Sequence, residues 1–284
     1  MKLNKPLNLN FIFKKLKKNI NCHKNFSKDF INLENELISY IKENISNRYQ
    51  TFKILNIPIN LKNFKFGKLE LVNIMGLDEM IIFDFYKRKR KIYHNVCDIG
   101  ANIGLHTLFL KKLKYKNIVS YEPDKDHIKT SVNFFKKNKI ISRIKNFAIS
   151  NKSGKIRFTK ILDNTTGSHI EGLKDKVYGK IKVMNVKTLP INSFINKFDL
   201  IKIDCEGSEK LIFKSTPNDS WKKTDAIVEI TDKESRLCIW KKFKNSDINV
   251  YSQKIRWRKC KKLTDLPLSH KEGSIFISHN SRFF

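Results

Sequence analysis

"VCDIGANIG", residues 96–104, sets a carboxylate, Asp98, and two glycines, Gly100 and Gly104, between an apolar run and the start of an amphipathic one. The run that leads in, "IYHNVCDIG", reads as a short strand ending at Asp98, and Ile103 to Leu113 reads as a helix. Glycines at such a turn let the chain reverse tightly and bring its backbone close to a ligand at the helix start. The spacing is G-x-N-x-G, not the G-x-G-x-x-G that cradles a pyrophosphate. Asp98 would also repel a phosphate placed there. A nicotinamide-dependent dehydrogenase is therefore disfavoured.

The pattern around this turn is an alternation of strand and helix. "NIVSYEP" is the next strand, followed by a helix over 124–138, and "RIKNFAIS" is a third strand. "KIRFTK" and "KIKVMNV" flank a polar loop with "LDNTTGSHIEG"; "FDLIKIDCEG" and "TDAIVEI" are the fourth and fifth core strands. "INVYSQKI" and "GSIFISH" read as a late antiparallel pair. Short apolar strands alternating with helices predict a mostly parallel α/β sheet covered on both faces, with ligands at the carboxyl edge.

Residues 1–90 read differently, as an accessory region before a domain over 91–284. Ser27 is an N-cap for a helix to about Ile45, with Phe30, Leu33, Leu37 and Ile41 on one face. "TFKILNI" and "KLELVNI" read as strands and "LDEMIIFDFYK" as a short helix. The run "KRKRK" at 87–91 reads as a solvated junction at the boundary.

The second core strand ends at Glu122, 22 residues after Gly100, where a carboxylate can accept both hydroxyls of a ribose. S-adenosylmethionine has that ribose and no phosphate, and an acidic turn favours its ammonium and sulfonium. Asp98, Gly100, Asn102, Gly104 and Glu122 at these strand ends together predict a Rossmann-like class I methyltransferase core. Asn146 and Ala148, at the third strand end, are candidates for the adenine contact or an ordinary strand terminus.

The fourth strand carries a contradiction. In "IKIDCEGSEK", 201–210, Lys202 stands inside an apolar strand, and Asp204, Glu206 and Glu209 follow at its end. A buried lysine needs a carboxylate, and Asp204, Asp98 and Glu229 are the candidates. Glu209 fits the first turn of the next helix, where its charge meets the helix dipole. Asp204 and Glu206, at the ligand edge, are candidates to take a proton from an acceptor. They are also candidates to hold a divalent ion, although no third ligand is evident. The turn lacks the N/D-P-P-aromatic sequence common in enzymes that methylate base or amide nitrogen, which points to an oxygen acceptor. His169, in "TTGSHI", is either a general base near the acceptor or a surface histidine.

Composition bounds the partners. The formal charge is +31, which raises nucleic acid, anionic membrane and acidic glycan as partners. Only nine of the 58 basic residues are Arg, however, and Asn and Ile are abundant, as an AT-rich genome would encode. Base readers lean on Arg forks, so the charge reads as compositional rather than as a dedicated polyanion site, and a nucleic-acid partner is not expected. The five cysteines form no CxxC pair, so neither zinc nor a disulfide framework is indicated; Cys97 and Cys205 in core strands fit a reducing cytoplasm. The basic N-terminus, its apolar run broken by lysines, is neither a signal peptide nor a membrane span. It is a candidate for peripheral membrane contact, a docked helix or a frayed end.

Three motifs in order, "DIGANIGLHT", "YEP" and "LIKIDCEGSE", resemble the FkbM family of S-adenosylmethionine-dependent methyltransferases. The resemblance runs from about Tyr93 to Ile230, and more weakly to 273–279. It implies a seven-strand sheet and methyl transfer to a hydroxyl of a sugar, polyketide or other natural product. By position, Asp98, Gly100, Asn102, Gly104 and Glu122 would line the cofactor. Lys202, Asp204, Glu206 and Gly207 would form the signature turn near the acceptor. Where the family often has Leu-Asp this chain has Leu189-Pro190. The expected enzyme is an O-methyltransferase acting on a small-molecule or glycan acceptor, with acceptor specificity carried in part by residues 1–90. The rival expectation is a basic nucleic-acid-binding or RNA-modifying protein on the same fold.

Overall fold

The computed structural model describes residues 6–173 and 179–283. The N-terminal part comprises α1 (Asn10–Lys18), α2 (Lys28–Asn44), the hairpin β1 (Gln50–Ile54) and β2 (Ile57–Leu61), and α3 (Leu77–Lys89). Ser27 caps α2 by accepting from the Phe30 amide at 3.1 Å, and Phe30, Leu33, Leu37 and Ile41 are all buried. α1 turns Ile12, Phe13 and Leu16 into the core, so its apolar face is spent on packing rather than held out to a membrane. The N-terminal residues 1–5 lie outside the described residues. The expected strand at "KLELVNI" is only Leu69–Glu70 before a 3₁₀ turn over Leu71–Ile74. The reason is local: Asn73 Oδ1 accepts from the Glu70 amide at 2.7 Å and Asn63 Oδ1 from the Leu71 amide at 3.2 Å, in place of a strand ladder.

From residue 95 the chain alternates as the pattern predicts. β3 (Asn95–Ile99), α4 (Leu105–Lys112), β4 (Asn117–Tyr121), α5 (Lys125–Lys137) and β5 (Ile144–Lys145) come first. β6 (Ala148–Ser150), β7 (Gly154–Ile161), β8 (His169–Ile170) and β9 (Ile181–Pro190) follow. The chain then runs through β10 (Leu200–Ile203), α6 (Glu209–Ser215), α7 (Ser220–Lys223), β11 (Asp225–Glu229), α8 (Lys233–Phe243), β12 (Asn249–Ser252), β13 (Arg258–Lys259) and β14 (Ser274–Ser278).

The main sheet has the order β13-β12-β14-β11-β10-β3-β4-β5. It is parallel from β11 to β5, and β14 runs antiparallel between β11 and β12. This is the Rossmann-like class I methyltransferase arrangement. Seven strands were expected; the eighth, β13, is a two-residue edge strand beside β12. β3 is followed by β4 on one side and flanked by β10 on the other. The connections therefore leave in opposite directions and open a crevice at the carboxyl ends.

Residues alternate between the two faces of the sheet. Val96, Leu200, Ile227 and Phe276 pack with α3, α4 and α5, whereas Cys97, Ile99, Ile201, Ile203, Ala226 and Val228 pack with α6, α7 and α8. The N-terminal elements belong to the first of these cores, continuous with the sheet. Asp78 of α3 reinforces the join, accepting from Asn25 at 3.1 Å and from the Gln253 side chain after β12.

"RIKNFAIS" is not one strand. It leaves the main sheet after Lys145, and Ala148–Ser150 joins a second sheet of order β8-β7-β9-β6. Asn146 makes the break, because its side-chain amide donates to the Glu122 and Pro123 carbonyls at 3.1 and 2.7 Å. The smaller sheet therefore stands at the carboxyl edge of the larger one. Among the described residues no helix is long and apolar enough to cross a membrane.

Candidate functional site

A cavity of about 360 Å³ opens at that edge. Its floor is the turn between β3 and α4. Gly100 and Ala101 donate their amides to the Tyr121 carbonyl at 3.0 and 2.9 Å, which locks the turn to β4. Gly100 has φ +76°, and a β-carbon there would overlap the Asp204 carbonyl oxygen. Glycine at this position thus makes room for the neighbouring strand end as well as for a ligand. Gly104, φ +79°, caps α4 against the Phe135 ring and does not line the cavity.

Glu122 lines the cavity where β4 ends and is 5% exposed. Its two oxygens accept from the Asn102 and Asp124 amides, each at 2.8 Å. Each carboxylate oxygen has a second lone pair, so the group keeps capacity for two hydroxyls. Asn102 also lines the cavity, and its Oδ1 is buried without a hydrogen-bond partner. Phe147, Ala148 and Ile149 offer an apolar wall. Diol acceptor, orphaned oxygen and apolar wall fit the ribose, ammonium and adenine of S-adenosylmethionine.

Besides Gly104, two more expected cofactor residues lie one layer behind. Asp98 is fully buried and does not line the cavity; its Oδ2 accepts from Thr107 at 2.8 Å, and Thr107 meets Ser120 at 2.6 Å. Asn146 is occupied with the carbonyls named above and positions Ala148, which does line the cavity.

At the β10 end, Lys202 binds Asp204 at 3.0 Å, the first of the three candidate partners. Burial alone would lower the Lys202 ammonium, but Asp204, Asp98 and Glu79 outweigh it and raise it. Asp204, Glu206 and Glu229 line the cavity together with Lys202. Glu206 holds a left-handed backbone, φ +52°, where glycine or asparagine is usual, a strained geometry of the kind that clusters at functional turns. Glu229 is lifted well above the ordinary carboxylate range by burial, then by Asp204 and Glu206.

Glu209 does more than meet a helix dipole. It is wholly buried and accepts from the Cys205 and Gly207 amides at 3.3 and 2.9 Å, and from Thr231 and Ser235 at 3.1 and 3.3 Å. It therefore ties the signature turn to the start of α8. His169 is 1% exposed, with Nδ1 at 2.9 Å from the Gly167 carbonyl, and does not line the cavity; its strand neighbours Ser168 and Ile170 do. It is therefore not a surface residue, and alternation along β8 turns its ring away from the cavity.

Glu79, His106 and His270 are among the cavity residues that sequence reasoning missed. Glu79 arrives on α3 and pairs with His106 Nε2 at 2.5 Å, while His106 Nδ1 meets the Tyr86 hydroxyl at 3.1 Å. Burial would raise Glu79, but His106 and Lys202 outweigh it and lower it. His270 closes the cavity from near the C-terminus. A histidine inside the apolar run "GLHTLFL" was a legible signal for His106; nothing local marks Glu79 or His270.

The FkbM methyltransferase domain matches residues 98–256, more than half of the chain. The chain belongs to the FkbM methyltransferase family. Its cofactor is S-adenosylmethionine. No curated protein sequence matches this FkbM methyltransferase. Among solved structures it is similar to a ribosomal protein L11 methylase from Lactobacillus delbrueckii subsp. bulgaricus, with 13% identity, TM-score 0.38, and 70% of this chain and 77% of that one covered. It is also similar to a T. thermophilus 16S rRNA methyltransferase in complex with AdoMet and guanosine, with 11% identity, TM-score 0.41, and 81% of this chain but 50% of that one covered. A precorrin-6y methyltransferase from Geobacter metallireducens shows 11% identity, TM-score 0.36, and 69% and 85% coverage. Likenesses this remote decide nothing about the acceptor.

Proposed function

We propose that this FkbM methyltransferase is an O-methyltransferase acting on a hydroxyl of a sugar, glycan or related metabolite in the cytoplasm. The observation that carries the reading is the set of carboxylates, Asp204, Glu206 and Glu229, converging with Lys202 beside the cofactor turn. A hydroxyl must lose its proton as its oxygen is methylated, and a wall carboxylate within the cavity can accept it. The turn Asp204-Cys205-Glu206-Gly207 presents no aromatic platform for a flat base.

S-adenosylmethionine, when bound, supplies an electrophilic methyl group on its sulfonium. Glu122 would hold the ribose, Asn102 the ammonium, and Ala148 with Phe147 the adenine, while Gly100 lets the floor approach. Asp98, Gly104 and Asn146 would position this cradle from behind. Asp204 and Glu206 would orient the acceptor and take its proton, Lys202 would fix Asp204, and Glu229 would bind the acceptor. Catalysis would come mainly from alignment of acceptor oxygen and methyl within this cavity. We further propose that residues 1–90 form an accessory segment contributing to acceptor choice, with the boundary at residues 90 and 91. Binding of S-adenosylhomocysteine, measured by calorimetry and lost in Glu122→Ala, tests the cofactor site. Mass spectrometry of glycans from cells with and without the gene, searched for loss of one methylene mass, tests the acceptor class.

The second reading is an RNA-modifying or nucleic-acid-binding protein on this fold, favoured by the +31 charge and opposed by the acidic cavity. A steep salt dependence of RNA binding would favour it.

A further inference from the structure

The chain is strongly basic, yet its cavity is acidic. Glu79, Asp204, Glu206 and Glu229 line it beside a single lysine, Lys202, whose ammonium is already bonded to Asp204. In a protein of formal charge +31 this surplus of carboxylates is a local construction and not a by-product of composition. Burial, and then the nearby charges of Asp204 and Glu206, raise Glu229 well above the ordinary carboxylate range, a sign of how closely acidic groups are gathered on this wall. Across the same cavity the orphaned Asn102 Oδ1 adds another acceptor. One member of the wall, Glu79, stands outside the matched 98–256 segment and is delivered by α3, braced by His106 at 2.5 Å.

We propose that this carboxylate wall, with Glu79 as the member supplied by the accessory segment, makes the site select the positively charged cofactor over its neutral thioether product. The inference rests on the reading of the cavity as the S-adenosylmethionine site. The two molecules share adenosine and the amino-acid end, so contacts from Glu122, Asn102 and the apolar wall contribute nearly equally to both. They differ by the methyl group and by the sulfonium charge. Specificity is a difference of affinities, and here the difference reports on the charge facing the sulfur. Selection of this kind would expel the product and limit its inhibition.

Calorimetry on the full chain with S-adenosylmethionine, S-adenosylhomocysteine and sinefungin tests it, because sinefungin carries an amine cation near the sulfonium position. Both cations should bind about tenfold or more tighter than S-adenosylhomocysteine, equal to about 1.4 kcal/mol. Glu79→Gln should narrow that ratio by about threefold or more while leaving S-adenosylhomocysteine affinity nearly unchanged. Glu79→Asp should retain most of the ratio. If Glu79→Gln does not fold, Glu206→Gln, half-buried in the same wall, should show the same narrowing. Equal affinities for the three ligands in the unaltered chain, or an unchanged ratio in the folded Gln variants, would overturn the proposal. Absence of binding by all three would instead overturn the cofactor-site reading.

Discussion

Replacing Gly100 with alanine should unfold the floor of the site more than any other single methyl addition in this turn. The backbone there has φ +76°, which costs a non-glycine residue about 1–2 kcal/mol. The new carbon would overlap the Asp204 carbonyl oxygen and lie 2.7 Å from the carbonyl carbon, well inside the ordinary contact distance of about 3.5–4.0 Å. The oxygen would lie 1.6 Å from that carbon, so the end of β10 must retreat by about 1.5 Å, an overpacking cost of about 1–3 kcal/mol. That retreat strains the bond from the Asp204 amide to the Ile99 carbonyl, 3.1 Å, worth about 1 kcal/mol. The total is about 4 kcal/mol, a shift of about 1 M or more in the urea midpoint at a slope of about 3 kcal/mol/M. Gly104→Ala is the internal control. Its φ of +79° carries the same backbone cost, but its β-carbon would meet Phe135 Cζ at 2.8 Å, a ring atom that can shift. It should cost about 2 kcal/mol. Urea titrations followed by circular dichroism give both midpoints. If Gly104→Ala proves as destabilising as Gly100→Ala, the close approach of β3 and β10 is not what requires the glycine.

Asp204→Asn should abolish methyl transfer from labelled cofactor to a glycan fraction while S-adenosylhomocysteine binding stays within about threefold; turnover at the unaltered rate would remove Asp204 from the proposed chemistry. Glu209 is raised by burial from 4.5 to about 7, so the folded chain keeps a proton that the unfolded chain releases. Its contribution to stability is then full below pH 4.5 and falls as pH rises to about 7, a loss of about 3 kcal/mol. Urea melts across that window should show a shallower decline in Glu209→Gln, and parallel declines would refute the assignment. Phe283, 1% exposed and stacked on Trp257 at 3.5 Å and Phe85 at 4.6 Å, should cost about 3–5 kcal/mol when truncated to alanine, although it stands at the C-terminal end; a change in thermal midpoint too small to resolve would show that the terminal ring is not part of the core.

The periodicity of the sequence carried the sheet because alternation and helical spacing are local properties. Ile201, Ile203 and Lys202 fall on the faces that a period of two dictates, and Asp98 and Glu122 fall at strand ends. The Lys202–Asp204 pair was legible for the same reason, since two residues along one strand share a side. Where local reading failed, a side chain had intercepted the backbone. Asn146 ends the third strand by bonding the Glu122 and Pro123 carbonyls, and Asn73 with Asn63 turns "KLELVNI" into a 3₁₀ segment. His169 illustrates the limit of a motif: a histidine in a polar loop reads as accessible until strand pairing with Thr159 turns its ring inward.

The sequence by itself determined the fold class, the family and the turn that receives the cofactor, because those rest on short-range patterns of glycine, carboxylate and apolar residues. Only the tertiary structure decided who shares the cavity. Glu79 and His270 reach it from opposite ends of the chain, and Asp98 withdraws behind it. Membership is set by packing between α3, the sheet and the C-terminal loops, and no spacing within the chain records contacts between elements so far apart.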